Sequence, residues 1–288
     1  MTDGALWKSH RNFISRNKFG LKFMDCVGTQ IESRVQSEVT DCLLELLNDA
    51  GAGDAALDPA PYLSCSLSNV ICSIIMSTRF RHKDAQFNQF MNFFDDGFRL
   101  FKQTGSLIFL PFLRHLPAKQ RIIRQLQDHR GQLLDFMGEI IDEHRATFAH
   151  GQPRDLVDIY LQEMAEEGEE QLFGDKDPET QLKQVLIDLF SAGFETVKST
   201  LLWTLIHVLR NPEVRAKVQA ELARELEPTQ LPGMEDMSRL PYSKAVIYES
   251  MRRTSAVPLG VTHSNTRYLF STNLLLDSIC LLFLVVST

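Results

Sequence analysis

The 288-residue sequence predicts a mainly α-helical fold, and three observations carry that expectation. Apolar residues recur at helical spacing through most of the chain, as at Ile31, Val35, Val39, Leu43 and Leu47; that period puts them on one helix face. Glycine and proline are few, 15 and 11, and they gather between the periodic stretches. No clear alternating run, the mark of a strand, appears before Val257.

Taken in order, the pattern predicts helices over residues 4–17 and 29–47, then a loop at residues 51–61 rich in Gly, Ala and Pro. Helices follow over 62–78 and 84–103. Residues 106–112 form an apolar connection ending in prolines, and a long helix covers 118–149. A short helix spans 156–164. The acidic stretch 163–179, with Gly168 and Gly174, reads as a solvated loop. Asn211 before Pro212 caps and starts a helix that ends near Glu227-Pro228. The last helix covers 242–254.

Between these lies the most informative stretch, residues 185–209. It is apolar on nearly every face and is broken in its middle by Ala192-Gly193-Phe194-Glu195-Thr196. An all-apolar helix belongs in the centre of a large domain or in a membrane, and Asp188, Glu195 and Lys198 argue against a membrane span. A helix-interior glycine costs ~1 kcal/mol relative to alanine and tends to persist where something approaches the backbone. An acid and a hydroxyl beside it are costly to bury unless they are bonded or used. These residues point to a site.

Composition excludes several classes. With 44% hydrophobic and 23% charged residues, the chain is of globular type. A net charge of -7 and a pI near 5.6 leave no basic stripe for nucleic acid. Cys26, Cys42, Cys65, Cys72 and Cys280 form no Cys-x-x-Cys pair, which suggests reduced thiols packed as small core residues. The histidines make no metal motif, and there is no P-loop, dinucleotide fingerprint or nucleophile elbow. No signal peptide opens the chain. From Tyr268 polar character fades, and Leu274 to Val286 is apolar apart from Asp277, Ser278 and Cys280. That stretch is short for a membrane helix, and the sequence favours a tail outside the domain over a tail anchor.

Two side-chain pairs have helical spacing. Glu249 and Arg252 lie one turn apart, as either a surface ion pair or a half-buried fork beside Ala245, Val246, Ile247 and Met251. Trp7 and Arg11 sit four apart, and offer an indole N–H and a guanidinium to an anion or a simple amphipathic face. The apolar run 107–112, followed by Arg114, Lys119, Arg121 and Arg124, suits either a membrane surface or the core.

The order of these features is more specific than any one of them. Asp3-Gly4, Trp7-Lys8 and Arg11 come first, then Asn69-Val70-Ile71 and Arg79-Phe80. Asp155, Asp158 and Tyr160, the segment Ala192–Thr196, Asn211-Pro212, Glu249 with Arg252, Pro258 and His263 follow. In this sequence they resemble the middle of a cytochrome P450, a haem-thiolate monooxygenase of the microsomal type, most like the arthropod ecdysteroid hydroxylases. The likeness covers residues 1–267.

The resemblance implies a truncated cytochrome P450 fold with helices C to K, lacking the haem-cysteine loop and most of the small β region. Residues 1–267 would be a partial P450 domain, and residues 268–288 a non-family apolar tail. Trp7, Arg11 and His263 are implied as contacts to the propionates of heme b. Ala192, Gly193, Glu195 and Thr196 match the oxygen-activation segment, with Thr196 as hydroxyl donor and Glu195 as proton relay. Glu249 and Arg252 match a structural pair, and Phe190 and Phe194 are walls of a lipophilic pocket or core residues. The implied partners are a lipophilic substrate such as an ecdysteroid and NADPH-cytochrome P450 reductase. The implied location is the cytosolic face of the endoplasmic reticulum membrane; a chain lacking the family's N-terminal anchor is expected in the cytosol.

The pattern stops after Arg267. No cysteine has the glycine-rich context of the family's thiolate loop, and Cys280 sits in Ser-Ile-Cys-Leu-Leu. Because the thiolate controls O–O cleavage, the expectation is a fragment without turnover. The alternative is a non-catalytic helical product that binds haem weakly, or a partner or lipid.

Overall fold

A computed structural model describes residues 8, 11, 12 and 14, and residues 22–51, 56–81, 84–148, 153–167, 177–228 and 230–257. The described chain is helical: α1 (Lys22–Ala50), α2 (Ala60–Ile75), α3 (Ala85–Phe109), a 3-10 turn (Pro111–His115), α4 (Pro117–Thr147), α5 (Leu156–Glu167), α6 (Pro178–Arg210), α7 (Pro212–Glu225), a 3-10 turn (Met234–Ser238) and α8 (Pro241–Arg253). No strand occurs among the described residues. Pro117, Pro212 and Pro241 open α4, α7 and α8. A proline there has its φ preset and loses an N–H that lacks a helical partner anyway.

The chain divides into two compact units, residues 1–195 and 196–288, with the division falling inside α6. In the first unit, α6 contributes an i, i+4 stripe, Leu182, Leu186, Phe190 and Phe194, all buried. Phe190 meets Phe94 at 4.4 Å and Phe90 edge-on at 4.6 Å, and stacks with Phe194 at 5.5 Å. Such aromatic pairs add to the area they bury. Leu133, Met137, Ile140 and Ile141 of α4 and Leu156, Val157 and Tyr160 of α5 complete the core.

The docking of α1 on α2 is of another kind. Asn69 donates to Glu38 Oε2 (3.1 Å) and to the Phe80 carbonyl (2.9 Å), while its Oδ1 accepts from the Phe80 N–H (2.8 Å). Arg79 pairs with Glu38 and Asp41, and Arg34 donates to the Ser73 carbonyl. The apolar stripe marked by periodicity divides: Ile31 packs against the core, while Val35, Val39, Leu43 and Leu47 are exposed, Leu47 at 69%. Helical period identifies a stripe, but Glu38 and Cys42, three residues on from Val35 and Val39 at the edge of that stripe, are the residues that become buried.

In the second unit, Glu221 of α7 is buried and caps α8. Its carboxylate accepts from the backbone N–H of Tyr242 (2.8 Å) and Ser243 (2.7 Å) and from the Ser243 hydroxyl (2.7 Å). Burial works against the charge, but these donors outweigh it and hold Glu221 below the ordinary range. An acid at a helix start satisfies orphan donors and complements the helix dipole.

Four local expectations change. The central helix is continuous over Pro178–Arg210 and is not broken at residues 192–196; one glycine costs ~1 kcal/mol, too little to interrupt a long packed helix. Its all-apolar character does not bury it throughout, since Val197, Leu201, Trp203, Leu205, Ile206 and Leu209 are exposed. The connection expected at 106–112 is largely helical, because α3 runs on to Phe109. At the start of the acidic stretch, Glu163 is buried on α5 rather than solvated.

Candidate functional site

On α6 the segment from Phe190 to Thr196 splits by face. Phe190 and Phe194 point into the aromatic core, at 0% and 1% exposure. Ala192 is exposed, and Gly193, Glu195 and Thr196 are half-buried. Ala192 and Thr196 sit four residues apart, on one face. The hydroxyls along the helix are used internally: Ser191 donates to the Ile187 carbonyl (2.7 Å), Thr200 to that of Thr196 (2.8 Å) and Thr204 to that of Thr200 (2.8 Å). Upstream, Gln184 donates to Asp188 (2.9 Å) and accepts from Arg130 (3.0 Å).

Gly193 is not demanded by packing among the described residues. A Cβ there meets Ile71 Cδ1 at 3.4 Å, an ordinary contact. An alanine would fit there and would favour the helix.

The other predicted residues are dispersed. Arg11 is exposed; Trp7 and His263 lie outside the described residues. Arg252 grips Glu249 through Nε–Oε2 (2.7 Å) and Nη2–Oε1 (2.6 Å). Both are more than half exposed, 58% and 52%, which is the surface form of the pair. The guanidinium hydrogen bonds hold the Glu249 carboxyl below its ordinary range. Phe190 and Phe194 have the core environment that the sequence left open beside a pocket wall. Two cavities among the described residues lie away from this segment. A groove of about 820 Å³ is lined by Asn88, Asn92, Asp96, His129, Gln132 and Glu139. A cleft of about 290 Å³ is lined by His207, Asn211, Tyr242, Glu249, Ser250 and Arg253.

One buried constellation escaped the sequence. His144 Nδ1 faces the Ile140 carbonyl at 2.8 Å and Nε2 faces Asp155 Oδ2 at 2.7 Å. Asp155 Oδ1 accepts from the Asp158 N–H (3.0 Å) and so caps α5. Arg154 closes on both Asp158 oxygens (2.6 and 3.0 Å). His144, Asp155 and Asp158 are close enough to suggest a cation site, but Arg154 already occupies the cation's place on Asp158. Asp155 stands visibly before α5 and Asp158 in its first turn; nothing marked His144 as their partner.

A cytochrome P450 family model matches residues 1–271. The chain belongs to the cytochrome P450 family. It is 39% identical over 271 residues to Cytochrome P450 18a1 of Drosophila melanogaster, covering 92% of this chain and 50% of the relative. Cytochrome P450 2C16 of Oryctolagus cuniculus is 33% identical over 271 residues, with 92% and 52% covered. Cytochrome P450 2B19 of Mus musculus is 32% identical over 270 residues, with 92% and 53% covered. The chain therefore spans about half the length of the curated relatives it matches, and its helical architecture is that of a part of the P450 fold.

A P450 haem needs a face that it can approach and a cysteine thiolate. The exposed Ala192 and adjoining Gly193 fit the first need. The described thiols do not fit the second. Cys42, Cys65 and Cys72 are buried free cysteines. Burial pushes the Cys65 thiol up to about 12 and Cys72 well above its usual value, so both are neutral at pH 7. No step of oxygen chemistry is therefore assigned to the described residues. Among them no helix is long and apolar enough to cross a membrane.

Proposed function

We propose that this chain carries the distal, oxygen-facing part of a haem-dependent monooxygenase that hydroxylates a lipophilic substrate, and that these 288 residues do not turn over alone. The observation that carries the reading is α6: Ala192, Gly193, Glu195 and Thr196 lie on an unbroken helix backed by Phe190 and Phe194. On this reading Thr196 and Glu195 hold and move a proton at the distal face, and Ala192 and Gly193 keep that face low. Phe190 and Phe194 act from behind by fixing the helix. Trp7, Arg11 and His263 are the propionate contacts, and Glu249 with Arg252 is structural. Residues 1–267 form the family domain, followed by an apolar tail.

A steroid of the ecdysteroid class is the proposed substrate, supported by the family resemblance and by higher identity to the Drosophila relative than to the mammalian ones, 39% against 32–33%. Electrons would come from NADPH-cytochrome P450 reductase. The endoplasmic reticulum surface is the proposed location. Exposed Leu110, Phe112 and Leu116, with Phe112 at 65%, beside Arg114 and Lys119, suit a lipid headgroup layer.

A carbon-monoxide difference spectrum of the reduced, haem-supplemented chain tests this. The expected result is no thiolate-type band and no NADPH-dependent hydroxylation, with added haem slowing amide exchange over residues 190–197. A thiolate-type band with turnover overturns the inactivity. Haem without effect on residues 190–197 overturns the distal assignment and leaves a non-catalytic helical product.

A further inference from the structure

We propose that Cys42 of α1 and Cys65 of α2 form a redox pair, whose disulfide locks α1 onto α2 under oxidising conditions. The register of the seam carries this. Arg34 bonds to the Ser73 carbonyl and Glu38 to the Asn69 amide, so the two helices run antiparallel and meet every four residues. The next meeting in that register is Cys42 opposite Cys65, one turn beyond Glu38 and one turn before Asn69. Both are buried free cysteines, at 6% and 5% exposure, and both belong to the first compact unit.

Further contacts hold the sulfurs at this level of the seam. Asn69 Nδ2, which donates to Glu38, also reaches Cys65 Sγ at 3.9 Å. The Cys42 thiol is hydrogen-bonded to Ser66, the neighbour of Cys65. Cys65 also feels charge on Cys42 directly. Packed helices lie about 8–10 Å apart with Cα atoms on a radius of about 2.3 Å, so facing Cα atoms fall roughly 5 Å apart. A disulfide spans ~4.4–6.8 Å between Cα atoms. Cys72 is seven residues on from Cys65, about 10 Å further along α2, and out of reach of Cys42.

The oxidant is a small disulfide of the oxidised-glutathione class. Cys42 attacks first: burial raises both thiols, but Ser66 supports the Cys42 thiolate, while Cys65 is pushed up to about 12. Cys42 Sγ gives up its proton and bonds to one glutathione sulfur, and the other glutathione leaves as a thiolate that takes up a proton. Cys65 then loses its proton, attacks the Cys42 sulfur of the mixed disulfide and expels the second glutathione. Two protein thiols are oxidised and one external disulfide is reduced to two thiols. Buried neutral thiols are inert, so the first attack waits for α1 to lift from its ionic contacts at Arg79, Glu38 and Asp41. Return of α1 to register brings Cys65 to the mixed disulfide. Excess thiol reverses both steps, which makes the bond a switch.

The full chain, incubated with oxidised glutathione near neutral pH, alkylated and mapped by mass spectrometry, tests this. The expected result is an intramolecular Cys42–Cys65 disulfide in the folded monomer, cleaved by dithiothreitol and abolished in C42S and in C65S. In the oxidised chain, amide exchange over α1 should slow by about tenfold or more and cease to quicken with added salt. In urea the pair should lose its preference over the other cysteines, because helix register selects it. A disulfide to Cys72, or glutathione held on Cys42 or Cys65 with no disulfide, overturns the pairing. So does a lack of reaction in a chain whose circular dichroism is that of the folded protein. An oxidised pair with α1 exchange unchanged overturns the lock. None of these readouts depends on haem, so this inference and the functional proposal fail separately.

Discussion

His144 Nε2 lies 2.7 Å from Asp155 Oδ2, and both side chains are closed off from water. With its other nitrogen on the Ile140 carbonyl, the ring faces two acceptors and is best satisfied as the imidazolium. Burial is the largest influence and opposes that charge, but the Asp155 hydrogen bond and charge and the Ile140 carbonyl outweigh it, so the pKa is raised. The pair's stability is therefore complete below about pH 6.5 and is lost as pH climbs through the folded value. Thermal midpoints should fall from pH 6 to pH 8, and H144Q should remove that slope. H144A should cost about 3 kcal/mol, because it leaves Asp155 buried without its partner. A parent protein with a flat profile would refute the assignment.

Asp158 titrates in the opposite direction. Burial raises its pKa, but the Arg154 side-chain and backbone bonds prevail and lower it. That contribution is present above about pH 4 and is lost as pH falls through the folded value. The R154M variant should be less stable than the parent at pH 6–7, with the difference shrinking as pH falls below about 4, read by circular dichroism.

Asn69 joins Glu38, the Cys65 sulfur and both backbone groups of Phe80 through its one amide group. N69A removes the clasp on both polar groups of Phe80 and leaves Glu38 short of a donor. An expected loss of about 2–3 kcal/mol follows from buried groups left unsatisfied. The urea midpoint should shift with the slope unchanged; a loss under about 0.5 kcal/mol would remove the clasp from the account of the fold.

Gly193 and Phe190 should respond with opposite signs. G193A gains helix propensity at an uncrowded site and should stabilise by about 0.5–1 kcal/mol. The same variant should weaken the haem-induced protection of residues 190–197. F190A opens a cavity in a fully buried aromatic cluster and should cost about 3–5 kcal/mol. Destabilisation by G193A would mean that the fold itself requires the glycine.

Much of this architecture is readable without coordinates. Helix period, together with Pro212 and Pro241 as start signals, places most element ends within a few residues, because both are local effects. The α6 segment stands out for the same reason: glycine, an acid and a hydroxyl in an apolar helix are a local contradiction. What stays hidden depends on partners distant in sequence. Nothing in Val35, Val39 and Leu43 says that their face is left uncovered, since that depends on what Glu38 finds on Asn69 and Arg79. The pairing of His144 with Asp155 is equally non-local. Glu249 and Arg252 show a further gap, as spacing brings two charges together without fixing how far water reaches them.

The seam between α1 and α2 gives the first unit two unequal joints. The aromatic joint around Phe90 and Phe190 is cemented by surface area and is indifferent to ionic strength. The α1 joint hangs on Glu38, Asp41, Arg79 and Arg34, and salt or acid acts on those charges directly. In native-state hydrogen exchange, α1 should thus behave as a separate foldon that opens ahead of the aromatic core and opens sooner as salt is added. Such an exchange pattern would make α1 a flap with an ionic latch over a wall that stays shut.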